Sequence, residues 1–175
     1  MKNLIGLVSI LAVIFLSGCT AQPAPVTLEQ TADSLAMGGF HITFSNITVL
    51  GAQDAAPIAG LTEGGKRVVF DDGSALIYYV YLTPWTDEEL GGYAGYFIGL
   101  NNNKSTGTKI PGGTIDGYGP AQKTTFRGYP ALSSDLHLTL DSGKELTVPT
   151  YFMYCGRVLV EITDLNGSFG APSCG

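Results

Sequence analysis

Ala75-Leu76-Ile77-Tyr78-Tyr79-Val80-Tyr81-Leu82 is apolar or aromatic at every position, and Thr86-Asp87-Glu88-Glu89 follows almost at once. The first run predicts a central strand covered on both faces. Before it, Asp71-Asp72-Gly73-Ser74 signals a turn, and Lys66-Arg67-Val68-Val69-Phe70 supplies the other arm of a β-hairpin. After it, Thr86 caps a helix and Glu89 reaches back, a capping box with acids at the positive helix end. Leu90, Tyr93, Ala94, Phe97 and Ile98 then recur at helical spacing and make one apolar face. Gly91 and Gly92 weaken this helix but permit close packing. Gly99 and Asn101-Asn102-Asn103 end it.

Working outward, residues 41–50 begin as a strand. Ile42 and Phe44 share one face, Ile47 and Val49 the other, so the phase slips at Ser45-Asn46 and predicts a bulge or bend. Residues 51–65, rich in Gly, Ala and Pro, predict a loop. Residues 27–37 predict a short helix ahead of Gly38-Gly39. On the other side, residues 104–122 hold five Gly and two Pro and predict a long loop. A β-meander follows over 124–129, 136–140, 145–153 and 158–163, with Pro149 placing its third strand near an edge or a bulge. No internal repeat is visible. The pattern defines an α+β class: a mostly antiparallel twisted sheet, one main helix packed on a face, and a meander in the C-terminal half. The body is expected as one domain over residues 38–175.

In that half, Phe126-Arg127-Gly128-Tyr129-Pro130-Ala131, a hairpin, and Gly156-Arg157-Val158-Leu159-Val160-Glu161-Ile162-Thr163 follow one another. This order resembles the small α-β-α sandwich of PsbP-type proteins, where a similar glycine-and-proline turn precedes paired strands. The resemblance spans about 40 residues, carries no catalytic motif and implies only the fold class.

Residues 1–18 have the parts of an export signal: Lys2, an apolar core from Leu4 to Leu16, then small residues. The core is short of the roughly 20 apolar residues that a spanning helix needs. The chain turns polar and Pro-rich immediately afterwards, with no basic stop segment. Leu16-Ser17-Gly18-Cys19 resembles the lipobox of prokaryotic lipoproteins. That resemblance implies cleavage before Cys19 and a lipid on its sulfur. The protein is then exported and lipid-anchored on the outer side of the cell membrane. Residues 19–37 form the lipidated Cys and a tether, whose Pro23 and Pro25 favour an extended spacer.

Removing residues 1–18 takes Lys2 away and leaves eight basic against fifteen acidic side chains, a formal charge of −7. Such a body disfavours nucleic acid and electrostatic docking on anionic lipid. Of three Cys, lipidation of Cys19 leaves Cys155 and Cys174, most simply a disulfide in an exported protein. Asn46, Asn103 and Asn166 open sequons that are candidates for glycosylation.

No nucleophile elbow, phosphate loop, His-x-x-x-His or Cys-x-x-Cys occurs, and no catalytic residue, metal site or cofactor is expected. His41 and His137 read as outward strand residues. Ser133, Ser134 and Asp135 adjoin His137 in sequence, but strand neighbours face opposite ways and make no triad. Asp87, Glu88 and Glu89 are explained by the helix start, and Asp71-Asp72-Gly73-Ser74 by a turn rather than a calcium loop. The nine Tyr and one Trp are more informative. Six of these rings gather around the strand–helix unit, where they either fill a core or line a binding surface. Tyr79, Trp85, Tyr93 and Tyr96 are the candidate ligand contacts. The leading functional expectation is a non-enzymatic lipoprotein that binds or scaffolds an envelope partner. The alternatives are a small-ligand carrier with a pocket between helix 86–99 and the sheet, and, behind it, an envelope hydrolase.

Overall fold

The computed structural model describes residues 28–55, 60–102, 107–110 and 112–175. The signal segment, Cys19, the start of the tether and Asn103 lie outside the described residues. The chain runs β1 (Leu28–Thr31), β2 (Ser34–Met37), β3 (Phe40–Thr43), β4 (Val49–Asp54), β5 (Thr62–Phe70), β6 (Ala75–Tyr81), α1 (Asp87–Asn102), β7 (Thr108–Ile110), β8 (Gly113–Tyr118), β9 (Gln122–Phe126), β10 (Tyr129–Leu140), β11 (Glu145–Cys155), β12 (Val158–Thr163) and β13 (Ser173–Cys174).

Two sheets result. The smaller has the order β1-β2-β3-β13; the larger runs β4-β5-β6-β12-β11-β10-β8-β7, with β9 beside β8 along the same edge of β10. All pairings among the described residues are antiparallel, and β10, β11 and β12 form the expected meander. The smaller sheet buries Leu35, Met37, Phe40 and Ile42 against Val68, Phe70, Tyr78, Met153, Val160 and Ile162 of the larger. A second cluster joins Leu90 and Ala94 of α1 to Tyr81, Phe152 and Leu159. Alternation along β12 explains why its residues divide between the two clusters.

Residues 28–37 differ from expectation. They form a β-hairpin rather than a tether or helix, turning at Asp33 (φ 65°). Leu35 and Met37 alternate with Ala36, and burying both outweighs the helix propensity of so short a segment. The body therefore begins before residue 38. The slip at Ser45-Asn46 is real: β3 ends at Thr43, Asn46 takes φ 60°, and β4 starts at Val49.

The segments 51–65 and 104–122 are also less loop-like than expected, since β4, the start of β5, β7 and β8 occupy much of them. Several of their glycines make room rather than turns. A Cβ at Gly117 would stand 2.9 Å from Asn102 Oδ1, and one at Gly113 would stand 2.6 Å from the Thr139 carbonyl oxygen. Pro149 lies inside β11, between β10 and β12. The β12 pairing stops one residue away, at Thr150 opposite Thr163, so that side of Pro149 has no ladder to break.

The helix starts as expected. Glu89 Oε2 accepts from Thr86 N at 2.8 Å, and Glu89 N donates back to Thr86 Oγ1 at 3.3 Å. It continues through Gly99 to Asn102. Asn102 Nδ2 donates to the Tyr118 carbonyl and Asn102 Oδ1 accepts from Tyr118 N, each at 2.7 Å, which ties the helix end to β8. Among the described residues no helix is long and apolar enough to cross a membrane. Cys155 at the end of β11 is bridged to Cys174 in β13, with a Cα–Cα distance of 5.7 Å, and this links the two sheets.

Candidate functional site

Directly opposed residues share a face of a sheet. The register therefore places Arg67, Ile77, Glu161, Phe152 and Leu132 in one row across β5, β6, β12, β11 and β10. Phe152 assigns this row to the α1 side. Two residues along, Tyr79 opposes Leu159, which makes Tyr79 a diagonal neighbour of Glu161.

The rings around this row are in mutual contact. Tyr93 and Phe97 of α1 lie 6.3 and 5.6 Å from Phe152, and Phe97 lies 5.2 Å from Tyr118 of β8. Trp85 bridges Tyr81, at 4.5 Å, to Tyr93, at 5.7 Å. Glu161 is 7% exposed, yet no donor among the described residues is hydrogen-bonded or ion-paired to its carboxylate. Burial pushes it up to about 7, only partly offset by the positive charge of Arg67. The Tyr79, Tyr93 and Tyr118 hydroxyls are raised chiefly by burial and further by the proximity of Glu161; Arg67 opposes the rise at Tyr118. Tyr81 is pushed up to about 12, again chiefly by burial. Trp85 Nε1 and, outside this row, Glu63 Oε2 are buried polar atoms without a partner among the described residues.

The reach of Arg67 to Tyr118 also reports the shape of the sheet. Four strands separate β5 from β8, a span of about 24 Å if the sheet were flat. That the charge of Arg67 is felt at Tyr118 fits a sheet that curls around this face. Helix α1 touches chiefly β8, β11 and β10, and its Leu90 and Ala94 also pack with Tyr81 of β6. These rings form a cluster between α1 and the sheet, called the cup below, with buried Glu161 on its sheet side and exposed Arg67 at the end of its row.

Of the sequence candidates, Tyr79, Trp85 and Tyr93 are half-buried in the cup and Tyr96 points out of it, 67% exposed. Tyr118, Phe97, Phe152 and Glu161 complete the site and were not among the candidates. Glu161 had a signal: it is the one charged residue in the run Val158–Ile162. His41 and His137 are exposed on strands as expected, with His137 Nδ1 3.3 Å from Thr147 Oγ1. Asn46 and Asn166 are exposed, and Asn166 Nδ2 donates to Asp72 Oδ2 at 3.1 Å.

A cleft of about 470 Å³ lies on the opposite face, lined by Phe126, Tyr151, Pro149, Arg127 and Asp164. Its polar groups are already engaged. Arg127 donates to the carbonyls of Phe169, at 3.1 Å, and Gly167, at 2.8 Å, and Asp164 Oδ1 accepts from Ser168 N at 3.0 Å. These bonds hold the 164–169 loop, and no side chain there is both buried and unpaired among the described residues. The cup, with its free carboxylate, is the better candidate.

No family model, curated protein or solved structure matches the chain.

Proposed function

We propose that the chain is an exported lipoprotein, anchored through a lipid on Cys19, whose α+β body carries a small ligand between α1 and the face of the larger sheet on which it packs. The observation that carries this reading is Glu161, a buried carboxylate that lies among aromatic rings and has no donor among the described residues. Burying an unpaired charge is costly unless a proton or a partner neutralises it, and such positions gather at binding sites. Half-buried Tyr79, Trp85 and Tyr93 give the cup amphipathic walls that suit a small molecule. The body's acidity excludes no small ligand but favours one without strong negative charge.

Native mass spectrometry of the full chain, released from its own membranes in mild detergent, tests this function. The expected result is a reproducible added mass, beyond the lipid, that disappears on denaturation. A clean apo species from several growth conditions overturns it.

A second reading, partner binding, is favoured by the outer side of α1. Tyr96 and Leu100 stand one helical turn apart, 67% and 50% exposed, and a Cβ at Gly92, Gly95 or Gly99 would meet nothing within 4 Å. Photo-crosslinking from position 96 in intact cells, against position 147 as an exposed control, separates the two. An adduct specific to 96 and lost in Leu100→Glu supports a partner; equal labelling at both positions removes it.

A further inference from the structure

We propose that the cup takes the ammonium group of an organic cation, with the Glu161 carboxylate facing the charge and the rings of Tyr79, Tyr93, Phe97 and Tyr118 closing around it. This rests on the carrier reading and names its ligand class. Three partners can neutralise a buried carboxylate: a neighbouring cation, a proton or a ligand. Arg67 does not serve, since Ile77 stands between the two in the cross-strand row, Arg67 stays exposed and no ion pair forms among the described residues. A proton serves only when the cup is empty and the pH is low enough.

The cup's other walls select the ligand. Aromatic faces attract cations, and quaternary ammonium groups are recognised by cages of such rings. An anion meets the same carboxylate and is repelled. A divalent metal ion needs several oxygen ligands, and among the described residues no group of three His, Cys, Asp or Glu side chains converges anywhere. The titratable groups facing Glu161 are Arg67 from β5, Tyr79 from β6, Tyr93 from α1 and Tyr118 from β8. Beside it, β11 and β10 present Phe152 and Leu132, which do not titrate. With the tyrosines raised, Glu161 is the group in the cup that changes charge near neutrality. Proton and organic cation then compete for one carboxylate, and binding strengthens as the pH rises through about 7.

The test titrates the full chain in detergent with choline and with its neutral carbon isostere 3,3-dimethylbutan-1-ol, by calorimetry and by tyrosine-ring NMR. The expected result is choline binding at least ten-fold tighter than the isostere at pH 8.5. That preference should fall at least several-fold at pH 5.5 and vanish in Glu161→Gln, which keeps the side chain's shape. The pH profile of the wild type carries the test if the variant does not fold. Equal affinity for choline and the isostere, unchanged by pH or by Glu161→Gln, overturns the cation assignment and leaves the carrier reading standing. Binding of neither probe also overturns the assignment, while an added mass in the native spectrum still decides the carrier reading separately.

Discussion

Asn102 holds Tyr118 as another strand would. Its side-chain amide donates to the Tyr118 carbonyl and accepts from the Tyr118 N–H, both at 2.7 Å, at the point where α1 ends beside β8. A helix end leaves carbonyls without partners, and a strand edge leaves both groups without partners. One side chain here covers the edge of β8, and the missing Cβ of Gly117 gives it room, since an added one would approach Oδ1 to 2.9 Å.

Asn102→Ala removes both bonds and leaves a half-buried backbone pair unsatisfied. At roughly 1 kcal/mol per bond, the loss is about 2 kcal/mol of stability. Urea denaturation should show a lower midpoint with an unchanged slope. Because the clasp fixes α1, and with it Phe97, against Tyr118, the ring resonances of these two residues should broaden or shift. A midpoint equal to wild type would show that the clasp contributes nothing.

Glu161 makes the body's stability fall as pH rises. Its folded value, about 7, lies above the ordinary 4.5, so the native state binds the proton more tightly than the unfolded chain. The sign follows: this contribution is fully present below about pH 4.5, shrinks between there and 7, and is absent above. Across that window the change is on the order of 3 kcal/mol. Glu161→Gln removes the titration, so the variant should be more stable than wild type at pH 8 and nearly equal at pH 4. Chemical denaturation at several pH values checks this; parallel pH profiles would disprove it.

The strand–helix unit was legible because its signals are local. Alternation, a turn quartet and a capping box each occupy a few residues, and β6, the second half of β5 and the start of α1 stand where they predict. The glycine-rich segments misled because glycine serves two ends. At a turn it supplies a positive φ; at Gly113 and Gly117 it supplies space beside another strand or side chain, which depends on partners distant in sequence. The hairpin at 28–37 was hidden for a related reason. Its burial requires β5, β6 and β12, and nothing within ten residues announces that. The cup was half legible. Tyr79, Trp85 and Tyr93 come from the strand–helix unit itself, whereas Glu161 and Tyr118 join them only through register and curl.

Cys19→Ser tests the anchor independently of the body. Two or more acyl chains hold a protein firmly on a membrane, whereas one gives marginal binding. The variant should therefore move from the membrane pellet to the soluble fraction, and wild-type protein should take up labelled fatty acid that the variant does not. Retention of Cys19→Ser in the pellet after a carbonate wash would rule the lipid anchor out.

The Cys155–Cys174 bridge joins the end of β11 to β13, and β13 is the strand that completes the smaller sheet beside β3. β13 has only two residues, Ser173 and Cys174, both exposed, and by itself contributes little burial. The covalent link must therefore supply much of what keeps the C-terminal tail paired. Closing a loop of sequence separation 19 restricts the unfolded chain by roughly 3 kcal/mol on the chain-entropy estimate. Reduction, or the double change Cys155→Ser and Cys174→Ser, should lower stability by about that amount. It should also speed amide exchange at Phe40 and His41, the partners of β13, before it affects the meander. Thiol titration of the denatured, unreduced protein should find neither of these sulfurs free. Two free thiols would remove the bridge, and unchanged exchange at Phe40 after reduction would show that pairing alone holds the tail.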